Sequence, residues 1–130
     1  MSSNDSLANI LSKMNNAERY AMKECLISYH SNFIRNVLNL MKDHGYIGEI
    51  EEVENTRGDF YKLNLLGKIN NCNVIKPQFS VKTDEFEKYE KRFLPAKNFG
   101  IIIVTTPAGL MTHEDAKKKN VGGRLIAYCY

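Results

Sequence analysis

The chain has 130 residues, of which 43% are hydrophobic and 25% charged, and this is ordinary for a folded soluble protein of one domain or two very small ones. No apolar run approaches the about 20 residues that cross a bilayer, and the N-terminus lacks the pattern of a signal peptide. We therefore expect no membrane partner, and three reduced cysteines that lie far apart in the sequence fit a cytosolic protein.

The charge is distributed unevenly along the chain. Residues 1–65 carry 7 Lys and Arg against 9 Asp and Glu, whereas residues 66–130 carry 11 against 6. The formal net charge of +3 is too small by itself to indicate a nucleic-acid partner. If the protein binds a polyanion, we expect the second half to make most of the contact.

The first half has the pattern of a helix, a strand, a helix and a hairpin. Apolar residues recur at helical spacing over 5–16 and again after Ser31, a candidate N-cap. Residues 25–27 are a short strand candidate between these two helices. Alternation over 46–53 predicts the first hairpin strand, with Tyr46, Gly48 and Ile50 on one face and a bulge at Glu52. The second strand alternates at Tyr61, Leu63 and Leu65.

The second half has the pattern of short helices among strands. A polar segment over 67–73, anchored by Ile69, precedes a strand that begins at residue 74. Residues 84–93 predict a short helix, residues 99–105 a strand buried on both faces, and residues 124–130 a terminal strand. We therefore expect an α/β (α+β) protein of two small packed domains. The N-terminal α-β-α-β-β domain spans residues 1–66, and the C-terminal domain, mainly β with short helices, spans residues 67–130.

Paired hydroxyls follow the buried strand of the second half. Thr105 and Thr106 lead into a tight turn of Pro107, Ala108 and Gly109, and a helix opens at Thr112. One interpretation is a turn held by its own hydrogen bonds. The other is an RNA contact, because hydroxyls and free backbone N–H groups bind phosphates, 2′-hydroxyls and base edges, and Gly109 permits a positive φ and a close approach.

Catalytic and metal sites are disfavoured by the spacing of the reactive residues. His113, Glu114 and Asp115 are consecutive on a predicted helix and cannot converge on one ion, so helix-start electrostatics explain them better. The three cysteines form no CxxC pair, and they are expected to pack as small apolar residues rather than to bind zinc or form disulfides. We expect no enzyme activity, no cofactor, no metal and no small-molecule substrate.

Basic residues cluster in the same half as the threonine pair. Arg92 and Lys97 flank an aromatic, Lys117 begins a run of three lysines, and Arg124 follows a Gly-Gly pair that includes Gly123. Each is weak evidence alone, since solvated helix ends are often basic. Their coincidence with the threonine turn favours RNA binding.

These residues resemble a known family. The match to the universal small-subunit ribosomal protein S8 family, in its archaeal and eukaryotic branch (also called S-fifteen-A), rests on Gly100-x-x-Ile103-Val104-Thr105-Thr106-x-x-Gly109-Leu110-Met111 with Ala116-Lys117. Further matching segments begin at Leu7, His44, Leu66, Leu94 and Gly122, so the resemblance covers nearly the whole chain.

The resemblance implies a structural constituent of the small ribosomal subunit. It would bind a helix in the central domain of small-subunit ribosomal RNA, support subunit assembly and translation, and meet neighbouring small-subunit proteins in the cytosolic ribosome. The contact residues it implies by position are Thr105, Thr106, Gly109, Gly123 and Arg124, with Arg92, Lys97, Lys117, Asn16 and Lys13 as weaker candidates.

Several positions depart from the family pattern. Pro107 and Ala108 stand where bacterial members often have a serine and a lysine, and Tyr20 and Met22 replace basic residues typical of eukaryotic members. Two other classes of function stay open. One is a free translational regulator that binds messenger RNA through the same surface, and the other is a small hydrolase with His113 facing Thr105 or Thr106.

Overall fold

A computed structural model describes residues 3–28, 32–55, 58–96 and 99–130. The chain divides into two compact units, residues 1–71 and 72–130. Each unit combines helices with an antiparallel sheet, so the expected α/β (α+β) class is confirmed. Within the described ranges, no helix is both long enough and apolar enough to cross a membrane.

The first unit contains the predicted order of two helices and three strands. Its sheet has the strand order β1-β3-β2, with both pairs antiparallel. The elements are α1 (Ser3–Arg19), β1 (Glu24–Ser28), α2 (Asn32–Asp43), β2 (Ile47–Asn55) and β3 (Gly58–Leu65). The candidate N-cap Ser31 lies outside the described residues.

One face of this sheet forms the core of the first unit. Strand alternation buries Tyr61, Leu63 and Leu65 of β3 and leaves Lys62 and Asn64 on the opposite face. The helices contribute their apolar stripes, which are Leu7, Ile10, Leu11 and Met14 of α1 and Ile34, Val37, Leu38 and Met41 of α2. Full burial of one such side chain contributes about 1.5–3 kcal/mol to the free energy of unfolding.

The bulge in β2 lies earlier than the alternation predicts. The register with β3 shifts between Ile47 and Ile50, so the prediction of a bulge at Glu52 is wrong. The shift also changes which residues face the core, because Ile47 is fully buried whereas Gly48, of the predicted face, is half-buried. One extra residue in an alternating strand exchanges the faces of the residues on one side of it.

Residues 67–71 lie with the first unit. The Ile69 side chain is buried, and its backbone N–H donates to Glu18 Oε2 at 3.0 Å. Asn15 Nδ2 lies 3.5 Å from Asn71 Oδ1. The predicted anchoring by Ile69 is therefore confirmed, and α1 is the element that holds the segment.

The second unit is built around its last strand, β8. On one edge β8 pairs with β4 and with β5, and on the other with β6, which in turn pairs with β7. The elements are β4 (Cys72–Val74), β5 (Ser80–Val81), a 3-10 turn (Thr83–Glu85), α3 (Phe86–Phe93), β6 (Ile101–Thr106), β7 (Gly109–Thr112), α4 (His113–Lys119) and β8 (Gly123–Cys129).

Two of these strands are absent from the sequence-based expectation. Gly109 does not merely end a turn but begins β7, so Pro107 and Ala108 are the loop of a tight hairpin. Strand β5 has only two residues, Ser80 and Val81, too few to show a periodicity. Of the predicted strand over 99–105, residues 101–104 are buried on both faces as expected, whereas Phe99 is exposed and precedes the strand. The packing role of the three cysteines, which are buried and reduced, is confirmed.

His113 is a core residue rather than a surface residue of a helix start. It is 2% exposed, its Nδ1 accepts the Ile102 N–H at 3.1 Å, and its Nε2 lies 3.1 Å from Glu90 Oε1. The Lys117 ammonium contacts the same carboxylate oxygen. An acceptor at Nδ1 places the proton of the neutral ring on Nε2, which donates to Glu90. Burial lowers the pKa of His113, and the Glu90 carboxylate opposes this shift.

The second unit should lose stability as the pH falls below about 6.5, the pKa of an unfolded histidine. The folded pKa of His113 lies below that of the unfolded chain, so the unfolded state takes up the proton first. Stability is complete above pH 6.5 and declines toward the folded pKa, by at most about 1.4 kcal/mol per pH unit. Urea denaturation followed by the NMR signal of the Ile102 amide measures this decline.

The variant His113→Gln should be less stable at pH 7.5 but show a flatter pH dependence down to pH 5.5. The matched control is His44→Gln, because His44 is exposed at the end of α2. Parallel pH profiles for His113→Gln and the unmodified chain would contradict this account of the buried histidine.

Candidate nucleic-acid interface

A groove opens in the second unit where β6 ends and β8 begins, with β5 beside β8. Arg124 lies opposite Thr105 on one side and opposite Ser80 on the other, so three strands align at this point. The groove encloses about 490 Å³. We call it the β6–β8 groove, and its lining residues are Ser80, Val81, Lys82, Glu85, Thr105, Thr106, Pro107, Gly122, Gly123 and Arg124.

The two threonines differ in what their hydroxyls do. Thr106 Oγ1 donates to the Gly109 carbonyl at 2.8 Å and accepts the Ala108 N–H at 3.1 Å, so it holds the hairpin loop together. The half-buried Thr105 hydroxyl makes no hydrogen bond within the described residues. The interpretation of a turn held by its own hydrogen bonds is therefore confirmed for Thr106. The RNA contact stays a prediction, and Thr105 is the residue of the pair that lines the groove without a hydrogen bond of its side chain inside the described part of the chain.

Gly109 combines an unusual backbone conformation with open space. Its φ is +116°, which confirms the expected positive φ, and a Cβ placed there would meet no atom within 4 Å. A side chain is excluded by the backbone conformation and not by crowding. The open side of this turn is therefore free for the approach of another chain.

Gly122 and Gly123 exclude a side chain for the opposite reason, which is crowding by neighbouring atoms. A Cβ on Gly123 would overlap the Thr105 carbonyl oxygen and lie 2.8 Å from Val104 Cγ1. A Cβ on Gly122 would lie 3.1 Å from the Lys82 Cα. The space above these glycines is filled by the neighbouring strands, so strand packing by itself requires glycine at both positions, and the RNA contact of Gly123 stays a prediction.

The charge in the groove comes from two cations and one carboxylate. Lys82 and Arg124 are exposed, and neither forms an ion pair within the described residues. Glu85 Oε1 accepts the backbone N–H of Lys82 at 2.9 Å, so its carboxylate is partly engaged by the local turn. The groove therefore has a net positive charge and a free hydroxyl donor, which suits an anionic ligand.

Two other basic candidates of this half, Lys117 and Arg92, lie outside the groove. Lys117 is committed to Glu90 in the His113 network. The Arg92 guanidinium lies 5.1 Å from the ring centre of Phe79 and 5.3 Å from that of Phe93, a cation–π arrangement on α3. Lys97 lies outside the described residues.

The two N-terminal candidates lie in the first unit, on α1. Lys13 Nζ donates to the Leu26 carbonyl at 3.2 Å, and Asn16 is exposed one turn further along. Both line a separate groove between α1 and β1. The structure thus brings Thr105, Thr106, Gly123 and Arg124 together with the Gly109 hairpin, and it does not bring Lys13 or Asn16 into the same unit.

Sequence reasoning missed Lys82 and Ser80. They follow Phe79 in a segment to which the sequence analysis assigns no element, and only the pairing of β5 with β8 brings them to Arg124. A lysine next to a short hydroxyl-bearing strand is too common a pattern to single out in advance.

A threonine–histidine catalytic pair is not formed. Both ring nitrogens of His113 are engaged, by Ile102 and by Glu90, and the Thr106 hydroxyl is engaged by its own hairpin. A general base needs a free nitrogen within hydrogen-bond reach of the nucleophile. Among the described residues, no group of three or more His, Cys, Asp or Glu side chains is placed to hold a metal ion.

Comparison with known protein families finds a match over nearly the whole chain. The model of the family described as Ribosomal protein S8 matches residues 5–130. The match includes both units and the whole β6–β8 groove, and it confirms the resemblance found in the motifs.

Gly123→Ala should destabilise the second unit by about 1–3 kcal/mol, the usual cost of forcing an extra methyl into a packed interior. The added Cβ has to displace the β6 backbone at Thr105, which cannot move as a flexible side-chain end can. Urea denaturation followed by the NMR signals of the second unit measures the loss. Ala108→Ser, an exposed change in the adjacent hairpin loop, is the control and should stay within about 0.5 kcal/mol. Equal stabilities for the two variants would contradict the packing role of Gly123.

Proposed function

The chain belongs to the ribosomal protein S8 family, and on that premise we propose that it binds a helix in the central domain of small-subunit ribosomal RNA through the β6–β8 groove. Family membership makes it a small-subunit ribosomal protein that binds RNA. The proposal adds which surface makes the contact and which RNA element it meets. In this role the protein supports subunit assembly and translation in the cytosol, beside neighbouring small-subunit proteins.

One observation carries the assignment of the groove. In the part of the chain that the structure describes, the Thr105 hydroxyl has no hydrogen-bond partner and the cations Lys82 and Arg124 have no ion pair, and all three residues line the same groove. A ribose-phosphate chain offers acceptors to all three, and its 2′-hydroxyl can also accept from or donate to Thr105. Because the groove has few charges, it suits recognition of backbone shape more than attraction of any polyanion.

The hairpin loop next to the groove supplies a place of close approach. The Gly109 position has no side chain and no protein atom over it, so an RNA backbone can lie against the peptide there. Pro107 keeps one wall of the groove apolar and rigid. With Pro107 and Ala108 at the loop, the polar contacts come from the flanking Thr105 and from Arg124.

No chemical step is part of this proposal. The groove holds one carboxylate, Glu85, which is bonded to a backbone N–H, and no histidine or cysteine. Binding by positioned hydroxyls and cations needs no cofactor. The role is therefore structural: the protein clamps an RNA helix in one geometry.

Arg124→Gln should weaken binding to a transcript of the central domain of small-subunit ribosomal RNA by about 1.5–3 kcal/mol, the value of a hydrogen bond to a charged group. The slope of log affinity against log salt should fall by about 0.9, because one phosphate contact is lost. A filter-binding titration at several salt concentrations gives both values.

The matched control is Lys118→Gln. This substitution removes the same charge, but Lys118 is exposed on α4 and does not line the groove. Its affinity and salt slope should stay close to those of the unmodified chain. If the two variants lose affinity equally, general charge and not the groove determines binding.

If the chain binds a messenger RNA as tightly as the ribosomal transcript, the regulatory function replaces the structural one.

A further inference from the structure

A second groove, in the first unit, is apolar and is separate from the β6–β8 groove, and two of the weaker RNA candidates, Lys13 and Asn16, line it. It lies between α1 and β1 and encloses about 780 Å³. Ala17 and Cys25 are buried in it, whereas Tyr20, Met22 and Leu26 are large and 76%, 53% and 55% exposed. We call it the α1–β1 groove. Three large exposed apolar side chains around one groove are typical of an interaction surface.

One wall of this groove is the free edge of a sheet. In the described part of the chain, β1 pairs with β3 alone. The Lys23 carbonyl accepts the Leu65 N–H across this pair, so Lys23, Cys25 and Ile27 direct their backbone groups toward β3. Glu24 and Leu26, which alternate with them, direct theirs outward.

The Leu26 carbonyl confirms this orientation because it accepts the Lys13 ammonium at 3.2 Å instead of a strand partner. The Leu26 N–H beside it has no hydrogen-bond partner in the described structure. An edge strand with outward N–H and C=O groups is a template for another extended chain. Lys13 is exposed and flexible enough to release the carbonyl to an incoming N–H.

The rim of the groove is positively charged. Lys13 and Lys23 are both exposed at it. The one carboxylate at the rim, Glu24, is paired with Lys62 at 3.3 Å and is therefore partly neutralised. The complementary ligand has an apolar centre and acidic flanks.

We propose that the α1–β1 groove binds an extended peptide segment of another protein, which adds as a strand to the free edge of β1, places a bulky apolar side chain against Tyr20, Met22 and Leu26, and carries acidic residues for Lys13 and Lys23. Strand addition explains why outward backbone groups and an apolar pocket occur together, since the first provides affinity and the second selects the side chain. This inference is independent of the RNA contact, because the two grooves lie in different units.

A peptide rather than RNA is the occupant that the groove favours. The exposed wall consists of a phenol ring, a thioether and a branched alkyl chain, which offer phosphates no donors apart from the phenol. Burying these side chains against an apolar anchor is favourable, whereas burying them against a phosphate chain is not.

The test is an NMR titration of the full chain with a synthetic nine-residue peptide. The peptide alternates threonine and valine around one central phenylalanine and has glutamate at both ends. At saturation, exchange of the Leu26 amide should slow by about tenfold or more, because its N–H gains a strand partner. The Cys25 and Ile27 amides, which already bond to β3, should change little. A peptide of the same sequence, N-methylated at alternate amides, should not bind.

Two variants distinguish peptide binding in the groove from nonspecific binding to exposed apolar side chains. Replacing Tyr20 and Met22 together by serine should weaken peptide binding by about tenfold or more, because the apolar contact is lost. Val53→Ser changes an exposed apolar residue on β2, 36% exposed and outside the groove, and should leave peptide binding unchanged.

Four results would overturn the proposal. They are no binding at millimolar peptide, equal binding of the N-methylated peptide, binding that leaves the Leu26 amide unprotected, and protection of the same amides by a single-stranded RNA 12-mer instead of the peptide. The last would assign the groove to RNA. Ribosomal RNA binding through the second unit would be affected by none of them.

Discussion

The close contact between the β8 backbone at Gly123 and the end of β6 is the constraint on which the candidate RNA site depends. A Cβ at this position would overlap the Thr105 carbonyl, so only glycine lets the two strands pair here. The same pairing places Arg124 opposite Thr105 and opposite Ser80 of β5. Main-chain pairing of three strands therefore fixes the backbone positions from which the Thr105 and Ser80 hydroxyls and the Arg124 side chain extend.

Residues that look alike in the sequence have different roles in this arrangement. Thr106 closes the hairpin loop, Gly109 leaves its outer side open, and Thr105 remains available to a ligand. Lys117 likewise belongs to the buried His113 and Glu90 cluster, which connects α3, α4 and β6 and supports the sheet behind the groove. The basic charge of residues 72–130 is thus partly structural, and the part that faces the groove is Lys82 and Arg124.

Most of the fold could be predicted from the sequence, because apolar periodicity and turn residues are local. Both helices and the hairpin of the first unit follow from spacing, and so does the cap of α4, where Thr112 accepts the Asp115 N–H at 3.3 Å. Strand β7 pairs with the adjacent β6, and it is not predicted because Gly109 and Thr112 have the pattern of a turn and of a helix cap. The bulge in β2 and the two-residue strand β5 could not be predicted, since each depends on pairing with a strand further along the chain. The burial of His113 is of the same kind: its partners Ile102 and Glu90 lie 11 and 23 positions away, and no local pattern indicates them.

The central claim is that the β6–β8 groove is the surface that meets RNA, and UV cross-linking of assembled small subunits followed by mass spectrometry tests it most directly. The account predicts nucleotide adducts in the segments that line the groove, above all at residues 105–109 and 122–124, and their loss when Lys82 and Arg124 are both replaced by glutamate. Adducts confined to other surfaces of the second unit, or unchanged in the double variant, would contradict it.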